Sequence, residues 1–143
     1  MAWTFAFLVS DGTEHARAAD MCAHRVEDLV VSQLVDDLGK KIHAITATGP
    51  AFEDRGFRNQ LLGAASSATR NIAEGFGRYR HREFAHFLIV ARGSLLEIVD
   101  HLRDGTARGY WTEPDVRDLR GLCHRTIAAV TAFVRYLLMT QEP

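Results

Sequence analysis

Apolar residues at Val26, Val30, Leu34, Leu38, Ile42 and Ile45 are spaced by fours and threes, which lines them along one side of an α-helix. Leu29, Val31 and Val35 widen that stripe. Thr48-Gly49-Pro50 then closes the segment, since glycine is favoured just past a helix C-terminus and proline cannot continue the helix. Residues 51–55 read as a linker. A second stripe of Phe57, Leu61, Ala65, Ala68, Ile72 and Phe76 predicts a helix over 56–77. Phe84, Phe87, Leu88, Ala91, Leu95, Ile98 and Leu102 predict a third over 81–108, its end loosened by Gly105 and Gly109. Thr112 reads as the N-cap of a fourth helix, with Pro114 in its first turn and Asp115 near the positive end of its dipole. Val116, Leu119, Cys123, Ile127, Val130, Val134, Leu137 and Leu138 carry that helix almost to the C-terminus.

Four helices of about 20 to 28 residues with short connections predict an all-α fold, an antiparallel up-down-up-down four-helix bundle over residues 25–143. Strand signals are absent: no stretch alternates apolar and polar residues between turns. Residues 1–24 lack a sustained period and read as an N-terminal tail, either flexible or an upstream start extension, because Met21 stands just before the first periodic segment. The middle of the second helix, Gly63-Ala64-Ala65-Ser66-Ser67-Ala68, is small throughout. Small side chains let a neighbouring backbone approach, so this helix is expected at the centre of the bundle or at a subunit contact.

With 143 residues, 47% of them hydrophobic, the chain is long enough for one domain with a real core. A net charge of -1 excludes a uniformly basic nucleic-acid coat and makes the distribution of charge decisive. Between Arg55 and Arg82 stand six arginines and one acid, Glu74, a local charge of +5. Cys22 and Cys123 suit reduced thiols better than a disulfide framework. No apolar run approaches the roughly 20 residues of a membrane span. Ala2 to Val9 lacks a basic leader and is a poor signal peptide, so a cytoplasmic location without membrane contact is expected.

Asn71-Ile72-Ala73-Glu74-Gly75-Phe76-Gly77-Arg78, then Glu83-Phe84-Ala85-His86-Phe87-Leu88 and Ala91-Arg92-Gly93-Ser94-Leu95-Leu96-Glu97, keep the composition and spacing of a family hallmark. The chain resembles the four-helix-bundle proteins encoded in bacterial 23S ribosomal RNA intervening sequences, less strictly over Val26 to about Met139. The resemblance implies an antiparallel four-helix bundle assembled as a homopentameric barrel. It also implies a structural role for Asn71, Glu74, Gly75, Gly77, Gly93, Ser94 and Glu97. A related branch, the accessory variability determinant of diversity-generating retroelements, is a basic barrel that binds a reverse transcriptase and nucleic acid. The sequence departs from the common pattern at Ser67-Ala68-Thr69-Arg70, where a Ser-Val-Pro or Ser-Ile-Pro usually precedes the asparagine.

Catalytic chemistry finds little support in the residues. A two-metal bundle needs two Glu-x-x-His pairs, whereas Glu83-x-x-His86 occurs once; Glu97 and His101 are neighbours on one helix without a complementary cluster. No nucleophile elbow or phosphate-binding glycine loop is present. The expectation is a protein without enzymatic activity, metal or cofactor. Asn71 and Glu74, three residues apart beside the small-residue run, suit hydrogen bonds across helices or across a subunit contact that fix register, and suit exposure to water equally. Arginine forks suit phosphate, and an aromatic ring among them can stack on a base. Arg70, Arg78, Tyr79, Arg80 and Arg82 are therefore the candidate residues for binding RNA or DNA. The competing expectation is a protein-interaction scaffold, with self-association and a partner such as a reverse transcriptase common to both.

Overall fold

The computed structural model describes residues 3–5, 21–78 and 80–140. Five α-helices dominate these residues: α1 (Val30–Ile45), α2 (Gly49–Glu53), α3 (Arg55–Gly77), α4 (His81–Ala107) and α5 (Glu113–Met139). The four long helices pack in a cycle, α1 on α3, α3 on α4, α4 on α5 and α5 back on α1. Leu38, Ile42, Leu61, Ile72, Phe84, Leu88, Leu95, Leu102, Val116 and Leu137 meet at its centre, nearly inaccessible to water.

The three longer helices form where their apolar stripes place them. α5 starts one residue after Thr112, where the Asp115 carboxylate accepts the Thr112 backbone N–H (2.7 Å) and hydroxyl (2.6 Å). Aromatic rings close the core at both ends. Phe57 stands edge-on to Tyr110 and His101, while Trp111 donates its indole N–H to the Leu102 carbonyl at 3.1 Å. At the other end Phe84 meets Phe76 and Phe133 edge-on, directly beneath the α3–α4 turn.

The first part of the chain differs from the expectation. Val26–Asp28 form a turn of 3-10 helix and α1 starts only at Val30, because the Asp28 carboxylate accepts the Arg25 amide (3.0 Å) and tightens the entry. The buried side of α1 is Val31, Ser32, Val35, Leu38 and Ile42, whereas Val30, expected inward, is 42% exposed. A stripe with apolar residues on both flanks leaves its facing edge to be chosen by α3 and α5. The expected linker holds α2, with Gly49 at φ 69° opening it and Ala51 buried beneath it.

A two-stranded antiparallel ladder, β1 (Trp3–Phe5) with β2 (Met21–Ala23), stands where no strand is expected. Three residues per strand are too few to show alternation in a sequence. Residues 1–2 and 6–20 of the expected tail lie outside the described residues. α5 has an 18-residue stretch apolar enough on average to cross a membrane, a property buried helices share. Its alanines raise that average without an uninterrupted apolar run, and Val116, Leu119, Cys123, Val130 and Leu137 on it belong to the common core.

Candidate nucleic-acid interface

α3 ends at Gly77 and α4 starts at His81, so only three residues separate the two helices. Phe76 and Phe84 anchor the turn by burying apolar rings on either side of it, and Gly75 allows the two helices to close. A Cβ on Gly75 would come within 2.5 Å of Phe84 Cδ2 and 2.8 Å of Phe87 Cβ. Two turns earlier on α3, the Ser67 hydroxyl accepts a hydrogen bond from Ser94 of α4 at 2.9 Å. Asn71 donates to the Ser67 carbonyl (2.8 Å) and hydroxyl (3.3 Å), so it bonds within its own helix while Ser67 makes the cross-helix link.

On this framework Arg78, Arg80 and Arg82 project into solvent around one turn. Glu74 accepts a hydrogen bond from Arg78, four residues on, and the Arg78 guanidinium lies over the Phe87 ring at 5.4 Å. Arg80 approaches Glu83 at the 4.0 Å limit of an ion pair. Arg82 is exposed and makes no ion pair among the described residues. Both pairs are exposed and local, each to a carboxylate three or four positions away, the class of ion pair worth about 0.3–0.5 kcal/mol.

Tyr79, expected to stack on a base, lies outside the described residues. Arg70 is not part of the tip: it stands two helical turns back on α3, donating to the Ser66 hydroxyl at 2.9 Å. The remaining motif residues divide. Ser94 is buried and bonded, Glu97 is exposed and faces His101 at 3.6 Å, and Gly77 and Gly93 are exposed, with nothing within 4 Å of where a Cβ would stand. Asp54 was missed as an N-cap: its carboxylate accepts the Phe57 amide at 3.0 Å and the Tyr110 hydroxyl at 2.6 Å, tying the start of α3 to the α4–α5 turn. An aspartate three positions before the first stripe residue is the signal that could have found it.

Among the described residues no three His, Cys, Asp or Glu side chains converge as a metal site would require. Burial pushes the Cys123 thiol up to about 12, which keeps it protonated and unreactive. Residues 27–132, most of the chain, match the family described as 23S rRNA-intervening sequence protein. The chain belongs to that family. The 23S rRNA-intervening sequence proteins are small helical proteins and not a known enzyme family. No curated protein matches the chain.

Proposed function

We propose that this 23S rRNA-intervening sequence protein is a non-enzymatic, homo-oligomeric helical bundle that binds RNA or DNA through the basic α3–α4 hairpin. The cyclic packing of α1, α3, α4 and α5, with short connections between α3, α4 and α5, supports an antiparallel up-down-up-down four-helix bundle. Ile89 and Leu96, 46% and 52% exposed on α4, support assembly, and a pentamer is the reading taken from the family resemblance. A place beside a nucleic-acid enzyme, such as a reverse transcriptase, in the cytoplasm completes the proposal.

One observation carries the nucleic-acid reading: the carboxylates beside the tip arginines are weak local partners on an exposed turn, so phosphate oxygens can replace them at little cost. Ring assembly would repeat the turn around an axis and multiply weak contacts through avidity. The test is fluorescence anisotropy of labelled RNA and DNA of unrelated sequence at low salt. Wild-type protein should bind both, and joint replacement of Arg78, Arg80 and Arg82 by alanine should weaken all of them alike. Folded, assembled wild-type protein that binds neither would leave the second reading, a protein-interaction scaffold, which the exposed apolar residues of α4 favour.

A further inference from the structure

A groove runs between α1 and α3, away from the hairpin tip. Its floor is apolar, made of Val35 and Ala65, both buried, with Leu62 half-buried beside them. Its rim carries the exposed cations Lys40 and Arg70 and the imidazole of His43, opposed by one carboxylate, Asp36. Arg70 is steadied by its bond to Ser66 and makes no ion pair among the described residues, so its remaining donors are free to meet an anion.

Gly39 forms part of the α1 wall. It sits inside a 16-residue helix, where glycine is weaker than alanine, yet a Cβ there would meet nothing within 4 Å. Packing inside the chain therefore gives no reason for a glycine. A bare backbone at the wall of a groove does have a use, because it lets a flat group approach closely.

We infer that this groove seats an unstacked base of a single strand, its face against Gly39 and the apolar floor and its flanking phosphates on Lys40 and Arg70. The inference rests on the nucleic-acid reading above and adds to it the state of the strand. Every base has an apolar π-face, but a duplex keeps those faces covered by its own stacking. A duplex can therefore use only the hairpin arginines, whereas a single strand can use the hairpin and the groove together. Arg70 lies eight residues before Arg78, about 12 Å along α3, within reach of the same strand.

The experiment compares a short labelled single-stranded RNA with the duplex of the same sequence on three forms of the full chain: wild type, Gly39→Leu, and the triple alanine variant of Arg78, Arg80 and Arg82. Wild type should prefer the single strand by about tenfold, which needs roughly 55 Å² of apolar base face removed from water on the groove floor at about 25 cal/mol per Å². Gly39→Leu fills the groove from an open position and should abolish that preference while leaving duplex affinity unchanged; the triple variant should weaken both. A strand bearing 5-bromouracil should cross-link under ultraviolet light to peptides within residues 35–43 or 62–70, a readout that needs no variant to fold. Equal binding of both nucleic acids by wild type, an unaltered preference in Gly39→Leu, cross-links confined to the hairpin, or a change of subunit number in Gly39→Leu would each overturn the groove and leave the hairpin reading standing. Binding of neither nucleic acid by wild type would remove both.

Discussion

Gly75 and Phe84 approach so closely that a methyl group on the glycine would stand 2.5 Å from the phenyl ring. The ring cannot yield easily, since Phe84 is fully buried and is held edge-on by Phe76 and Phe133. Gly75→Ala should therefore destabilise the protein by about 1–3 kcal/mol, the usual cost of overpacking. Gly77→Ala, in the open on the last turn of α3, should instead stabilise by up to about 1 kcal/mol through helix propensity. Urea melts of the two variants should move in opposite directions; equal shifts would show that the α3–α4 contact is looser than it stands here.

The Ser67–Ser94 hydrogen bond is a second tie between these helices. Ser94 is buried, and its removal leaves Ser67 with the weaker Asn71 contact at 3.3 Å. Ser94→Ala should cost about 1 kcal/mol. A double-mutant cycle with Ser67→Ala should return a coupling of about 0.5–1.5 kcal/mol, and additive losses would mean that the two hydroxyls act separately.

Part of the acid sensitivity should trace to Asp54. The Tyr110 hydroxyl, then the Phe57 amide and the Arg108 charge, hold its carboxyl below the ordinary value of 3.8. A carboxylate depressed by folding contributes stability that is fully present above its unfolded pKa and is lost as pH falls through its folded pKa. Tyr110→Phe keeps the ring against Phe57 and removes the largest cause of the depression. Its thermal midpoint should lie below that of wild type at neutral pH, and the gap should narrow below about pH 4. A gap that stayed constant down to acid unfolding would assign the loss to packing.

Much of this architecture is legible in the sequence, and the exceptions share a cause. Stripes such as Phe57-Leu61-Ala65-Ala68-Ile72 repeat over many turns, so a misplaced residue changes little and the bounds of α3, α4 and α5 fall close to the expected ones. α2, the 3-10 turn and the β1–β2 ladder are only three to five residues long and carry no period to read. Their form depends on contacts, such as the burial of Ala51, that a sequence pattern does not display. At the hairpin the arginines were legible as charge. Their division was not: Arg78 is tied to Glu74, Arg82 is free of ion pairs among the described residues, and Arg70 lines the groove between α1 and α3.

That division makes Glu74 a restraint on the hairpin. Its carboxylate competes with phosphate for the Arg78 guanidinium and is the one acid among the arginines of residues 55–82. Glu74→Gln keeps the size of the side chain and removes the competing charge. Because the pair is about half exposed and spaced i,i+4, its loss should cost about 0.3–0.5 kcal/mol of stability at most. Binding should gain instead: with Arg78 released, nucleic-acid affinity should rise, and log K should fall more steeply with log salt by up to roughly 0.9 for duplex DNA or 0.7 for a single strand, one additional phosphate contact. Arg82→Ala should flatten the slope by a similar amount, since that side chain makes no ion pair among the described residues. The two variants should thus displace the salt dependence in opposite directions around wild type. If Glu74→Gln raised affinity equally at all salt concentrations, the gain would come from something other than a phosphate contact, and Arg78 would have to be withdrawn from the binding surface.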